Sequence, residues 1–201
     1  LGKLYQEIGR HLQGSFADEV IVEIGSDRWE GSSAYFADLA YTHDMRFVSV
    51  DLDEDARRRI YRTINLDHNS ITEFVQADGT AWSARYQGPY IKVLYLDNFD
   101  WDWRTDRQQS MIQDQVQWYA DRGIVMNNLN SQTVHVTQMA NLLPHMSDRC
   151  LVCVDDTYEY NGVFIGKGGA VVPYLLGQGF GMLAARDYGV ILGRGYKNII
   201  V

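Results

Sequence analysis

Val20-Ile21-Val22-Glu23-Ile24-Gly25-Ser26, followed by Gly31-Ser32-Ser33 and, further on, by Val48-Ser49-Val50-Asp51, is the stretch that decides the fold. A β-rich run breaks at a glycine, a helix begins near Gly31, and a second β-rich run ends on an acid. Glu23 and Asp51 lie 28 residues apart, the length of about one β-α-β unit. In an open α/β sheet, ligands bind at the carboxyl ends of the strands. A glycine there lets a ligand approach the backbone. An acid ending the second strand can accept both hydroxyl protons of a ribose. The pair points to a nucleoside-containing cofactor.

The pattern continues outward from this unit. Leu4, Ile8 and Leu12 are spaced for one face of an N-terminal helix over residues 1–14. Residues 31–41 fit a helix entered through a serine cap. Asp53 to Thr63 reads as a helix with an acid-rich start, which suits the macrodipole. Further strands are expected at Ile71–Ala77, Ile91–Leu96 and Cys150–Val154, ending at Asp78-Gly79, Asp97 and Asp155-Asp156. The spacing of 58 from Asp97 to Asp155 is too long for one crossover. It predicts a helical insertion at about 102–146, with helices around 106–122 and 130–143. Gly168 to Leu176 reads as helical. Phe180–Ala185 and Tyr188–Leu192, joined by Arg186-Asp187, read as an antiparallel hairpin. The expected fold is α/β, a Rossmann-like three-layer sandwich. Its sheet is seven-stranded and mostly parallel, with a C-terminal antiparallel hairpin, in a single domain over residues 1–201.

Bulk properties narrow the function. The chain has 201 residues, 46% hydrophobic and 22% charged, as in soluble globular domains. A net charge of −8 argues against nucleic acid as a partner, because phosphate binding needs clustered Lys and Arg. Arg57-Arg58-Arg59 reads as a solvated helix face. No apolar run reaches the ~18 residues of a membrane span, and no signal peptide is read at the start of the sequence. Cys150 and Cys153 form a lone CxxC in a strand, where residues three apart point to opposite faces. Core packing is expected there, not a disulfide or a shared metal. Two such thiols fit a reducing compartment, so a cytoplasmic location is expected.

At this point the chain resembles the class I S-adenosylmethionine-dependent methyltransferases, over about residues 18–195. The matching pieces are Glu23-Ile24-Gly25, Asp51, Asp78-Gly79, Asp97 and the terminal hairpin. It looks most like the small O-methyltransferase-like branch, through Gly25…Gly31-Ser32-Ser33 and Val154-Asp155-Asp156-Thr157. The resemblance implies methyl transfer from S-adenosylmethionine to a small-molecule acceptor, a hydroxyl oxygen by preference. It implies cofactor contacts at Glu23 near the methionine part. Gly25, Ser26, Gly31, Ser32 and Ser33 would surround the cofactor's carboxylate and amino group, where a helix N-terminus favours an anion. Asp51 would hold the ribose, Asp78 and Gly79 the adenine, and Asp97 the amino group or the substrate.

Three carboxylates, Asp97, Asp155 and Asp156, are expected to converge at one sheet edge. Their repulsion must be offset by protonation, a basic partner or a divalent cation such as magnesium. In the resembling branch such a metal orients a substrate hydroxyl and lowers its pKa. Asp97, His135 and Lys167 are the candidates for handling a proton. A lone helix histidine such as His135 is more often an ordinary surface or core residue, and Lys167 also reads as the group that neutralises the acids. Gly166-Lys167-Gly168-Gly169 lacks the spacing of a P-loop. Trp101, Trp103, Trp118, Tyr119, Tyr158 and Tyr160 fit an apolar substrate wall or a subunit interface, so a homo-oligomer stays open.

Two alternatives stand beside this reading. The Asp27-Arg28-Trp29-Glu30 loop is bulky for a cofactor turn, and a tryptophan replaces the family's histidine after Asp97. Both suit a non-catalytic cofactor- or sugar-binding protein on the same fold. An NAD-dependent oxidoreductase would share Asp51 but expects Gly-x-Gly-x-x-Gly, which Gly25 to Gly31 lacks.

Overall fold

The computed structural model describes residues 4–26, 31–100, 102 and 112–196. Seven strands form one sheet: β1 (Glu19–Ile24), β2 (Arg46–Asp51), β3 (Thr72–Gln76), β4 (Tyr90–Leu96), β5 (Met146–Val154), β8 (Gly181–Arg186) and β9 (Gly189–Arg194). Their spatial order is β3-β2-β1-β4-β5-β9-β8. β1 to β5 pair in parallel. β9 is antiparallel to both β5 and β8. The expected terminal hairpin is therefore present, and its second strand is the one that runs against the rest. A second hairpin, β6 (Thr157–Tyr160) with β7 (Val163–Gly166), forms a separate two-stranded sheet.

Strand alternation divides the core. Val20, Val22 and Ile24 of β1 face one apolar cluster, and Ile21 faces the other. The second cluster is covered by α1 (Ser32–Thr42), α2 (Ala56–Thr63) and a 3₁₀ helix at Leu4–His11. The first is covered by α5 (Asn128–Leu142) and α6 (Val171–Gly177), with Trp82 of the short α3 (Gly79–Ser83) packed against it. This is the expected three-layer sandwich. Cys150 belongs to the first cluster and Cys153 to the second, and both are free and buried. Among the described residues no helix is long and apolar enough to cross a membrane.

Some expectations need correction. The N-terminal helix is 3₁₀, although Leu4, Ile8 and Leu12 are buried as its spacing requires. α1 is entered through Gly31 at φ 84°, with no side-chain cap. The serines that follow have other partners, described below. Between β4 and β5 the described residues hold two α-helices, near the two expected there. α5 is a crossover helix whose Met139 and Leu142 join the main core. α4 (Gln113–Ala120) stands apart, on a small cluster of Ile112, Tyr119 and Met126.

Candidate active-site cleft

A cleft of about 350 Å³ opens at the carboxyl ends of β1, β2, β4 and β5. This is within the ordinary size of a small-molecule site. Gly25, Ser26, Asp51, Asp78, Gly79, Asp97, Asp155, Asp156 and Lys167 all line it. Phe99, Trp118, Tyr119 and Ile124 form its apolar side. Trp101, Trp103 and the 27–30 loop lie outside the described residues. Tyr158 and Tyr160 lie on the second hairpin, where Tyr158 meets Tyr188 edge-on, and neither is among the described lining.

Gly25 is demanded by the protein itself. Its φ is +93°, and a Cβ there would fall 2.4 Å from the Asn98 nitrogen. Only glycine lets the β1 and β4 exit loops touch. The β4 exit is itself bent, with Phe99 at φ 55°, an uncommon conformation that its surroundings must hold. The Ser131 hydroxyl donates to the Phe99 carbonyl (3.0 Å), and the Asp100 N–H donates to the Tyr119 hydroxyl (2.9 Å).

Glu23 is fully buried. Ser32 donates to its Oε1 (2.6 Å), while Ser33 (2.6 Å) and Ser49 (2.7 Å) donate to Oε2. These short bonds to a carboxylate are of the strong, charge-assisted kind. They tie the start of α1 to β1 and β2. Glu23, Gly31, Ser32 and Ser33 are not in the described lining; Glu23 with Ser32 and Ser33 forms a support beneath the cleft. The support reaches the surface through Ser49 and Ser26, whose hydroxyls are 3.1 Å apart. The Ser26 N–H donates to Asp51 Oδ2 (2.7 Å), and the Asp53 N–H donates to Asp51 Oδ1 (2.7 Å). Asp51 is thereby aimed, and each oxygen keeps a lone pair for a further donor. Asp78 caps α3 through the Ala81 N–H (2.8 Å) and is exposed on the cleft rim.

Asp97, Asp155 and Asp156 do converge. Among them lies the Lys167 ammonium, on a side chain 2% exposed, 2.6 Å from Asp97 Oδ1 and 3.0 Å from Asp156 Oδ2. It also donates to the Asp97 carbonyl (3.0 Å). Burial alone would lower the pKa of this ammonium. Asp97, Asp156, Asp100 and Asp155 outweigh that and hold it well above 10.5, so Lys167 is a fixed cation and not a base. Burial pushes the Asp97 carboxyl well above the ordinary range; Lys167 opposes the shift, and Asp155 and Asp156 add to it. Asp155 is raised for the same reasons, burial first. Tyr95 lies beneath both acids, a contact not anticipated from the sequence.

The carboxylates do not fit the divalent cation expected of them. Lys167 already supplies the compensating charge at two of the three. Among the described residues no group of three or more His, Cys, Asp or Glu side chains is arranged to hold a metal ion. Asp97, Asp155 and Asp156 are therefore read as a carboxylate–lysine cluster and not as metal ligands. His135 is fully buried and absent from the described lining. Its Nδ1–H donates to the Ser131 carbonyl (2.6 Å). Burial, with Lys167 adding, lowers its pKa to about 4. It is a buried, neutral group behind the cleft wall.

The cleft fits a nucleoside cofactor on its own geometry. Asp51 is held as a two-oxygen acceptor, and Asn98 on the wall carries a buried Oδ1 without a partner.

Comparison with known proteins agrees at the level of fold. No family model and no curated protein matches the sequence. Among solved structures, the chain is similar to a candidate rRNA methylase from Clostridium thermocellum (TM-score 0.57, 11% identity, 94% of this chain and 93% of that one). It is similar to a candidate methyltransferase from Streptococcus mutans in complex with SAH (TM-score 0.54, 11% identity, 94% and 95%). It is also similar to an O-methyltransferase family protein from Burkholderia thailandensis (TM-score 0.54, 11% identity, 96% of this chain and 56% of that one). The shared feature is the fold, a Rossmann-like sandwich of the methyltransferase kind.

Proposed function

We propose that the cleft binds S-adenosylmethionine and that the protein is a methyltransferase of the small O-methyltransferase-like branch, acting on a hydroxyl of a small molecule. The observation that carries this is Asp51, held by two backbone N–H groups at the end of β2 and facing a cleft of cofactor size. Asp51 would accept from the ribose hydroxyls. Asp78 and the backbone at Gly79 would meet the adenine, and Gly25 and Ser26 would lie along the methionine part. When bound, the cofactor supplies an activated methyl group on a sulfonium sulfur. The chain's own work is to orient the acceptor, exclude water and receive a proton.

The charge of the cleft supports a small acceptor. Six carboxylates line it, Asp51, Asp78, Asp97, Asp100, Asp155 and Asp156, and Lys167 is the one cationic residue in the described lining. That lysine is already bonded to two of them. Among the described lining residues a polyanionic nucleic-acid backbone finds no free cationic side chain. The substrate of the rRNA methylase neighbour is thus not carried over to this chain. Phe99, Trp118 and Tyr119 offer an apolar wall to an organic acceptor.

Calorimetry with S-adenosylhomocysteine tests the reading. The wild type should bind it at one site and should not bind NAD. Asp51→Ala should weaken binding by about 1–3 kcal/mol, the cost of leaving ribose hydroxyls unpaired. Unchanged affinity in the variant, or binding of NAD instead, refutes the proposal.

A further inference from the structure

The ends of β4 and β5 set three oxygen groups around a place for one proton. The Tyr95 side chain is 1% exposed. Its ring is wedged against Tyr5 (5.6 Å) and Phe36 (5.1 Å), so the hydroxyl cannot swing away to water. That hydroxyl lies 3.0 Å from Asp155 Oδ2 and 3.4 Å from Asp97 Oδ2. A phenol has one proton to donate. With both acids ionised, one carboxylate would face the phenol's lone pairs with no hydrogen between them. A proton on either acid completes the chain. The carboxylic acid O–H then donates to Tyr95 Oη, and the Tyr95 O–H donates to the other carboxylate.

The surroundings favour that added proton. Lys167 bonds Asp97 Oδ1 and Asp156 Oδ2, but no bond joins it to Asp155. Asp156 and Asp100 add negative charge beside the lysine, and Glu23 on β1 adds it near the Tyr95 hydroxyl. Cys153 on β5 is held as a neutral thiol by burial, with Asp155 and Asp97 adding to the effect. His135 on α5 is neutral as described. Burial raises both acids, which agrees with the geometry.

We infer that Tyr95 is a positioning residue that joins Asp97 and Asp155 into one proton-sharing pair, and that this pair, as a monoanion, receives the hydroxyl proton of the acceptor. The first half stands on the cluster alone, and the second rests on the methyl-transfer reading above. The proton passes from the acceptor O–H to a carboxylate oxygen of the pair. The electron pair left on the acceptor oxygen is the nucleophile. Because the proton belongs to the pair, its two titration steps belong to neither acid singly.

Carboxyl ¹³C NMR of aspartate-labelled protein, titrated from about pH 3 to 9, tests the pair without any acceptor. The wild type should show two coupled steps, the upper well above the range of an ordinary aspartate. Tyr95→Phe removes a bridge that is complete only in the monoanion, so the two steps should draw together, the lower moving upward and the upper downward. Asp155→Asn should abolish the coupled upper step. Two independent steps in the ordinary range, or steps that Tyr95→Phe does not move, overturn the inference. S-adenosylhomocysteine should bind Tyr95→Phe within about threefold of the wild type, since Tyr95 lies outside the proposed cofactor contacts. If the wild type fails to bind it, the methyl-transfer reading falls, while the titration still decides the role of Tyr95.

Discussion

Lys167→Met isolates what the buried ammonium does. Methionine keeps most of the apolar stem and deletes the charge. The lost contacts are those to Asp97 Oδ1 at 2.6 Å, Asp156 Oδ2 at 3.0 Å and the Asp97 carbonyl at 3.0 Å. Removing one partner of a buried pair costs about 3–5 kcal/mol. The Asp156 side chain is 50% exposed, so its share is screened, and the Asp97 side chain is 22% exposed. The low end, about 3 kcal/mol at pH 8, is the expected loss. The sign of the pH dependence follows from the raised carboxyls. Without the lysine, Asp97 and Asp155 relieve their repulsion by taking up protons, so the loss should shrink as the pH falls toward 5. In the wild type, the raised Lys167 pKa means that its contribution is complete below pH 10.5 and is lost as the pH rises through its folded value. Urea unfolding at pH 8 and pH 5 reads both effects. Asp97→Asn in the Lys167→Met background should recover part of the loss at pH 8. A loss under about 1 kcal/mol at pH 8, or one equal at both pH values, would refute the electrostatic account and leave only a packing defect.

Glu23→Gln should destabilise the fold by about 2–4 kcal/mol, because three hydroxyl donors lose an ionised acceptor; thermal unfolding measures it, and a change under about 0.5 kcal/mol would contradict the support role. His135 has a folded pKa lowered from 6.5 to about 4. Its contribution is present above pH 6.5 and is lost as the pH falls through about 4, roughly 3 kcal/mol in all. His135→Gln should flatten that acid slope, and an identical slope in the variant would show that other groups carry it. A metal chelator should leave unfolding temperature, S-adenosylhomocysteine affinity and methyl transfer unchanged; loss of any of them would restore the divalent cation.

Much of this was readable in the sequence where the information is local. The ends of β1, β2 and β4 are marked by Gly25, Asp51 and Asp97, and all three line the cleft. The placement of Cys150 and Cys153 on opposite faces follows from strand period alone. The β6–β7 hairpin carries a signal that went unused. Asn161-Gly162 sits between its strands, with φ 51° and 77°, the pair favoured by a type I′ turn. Other features depend on distant partners. Ser32 and Ser33 look like caps until Glu23 is seen facing them from β1. Lys167 reaches Asp97 across 70 residues of sequence, and nothing local distinguishes that lysine from a solvated one. Asp97, Asp155 and Asp156 suggested a cation site because carboxylates need a counter-charge. The chain supplies that charge itself, from a residue whose position only the tertiary fold fixes.

The central claim is that this cleft holds S-adenosylmethionine through Asp51. A crystal structure with S-adenosylhomocysteine tests it most directly. Both ribose hydroxyls should lie within hydrogen-bond distance of the Asp51 carboxylate, roughly 2.6–3.2 Å, with the adenine beside Asp78 and Gly79. A ligand bound with its ribose elsewhere, or a cleft that stays empty at saturating ligand, would contradict the account.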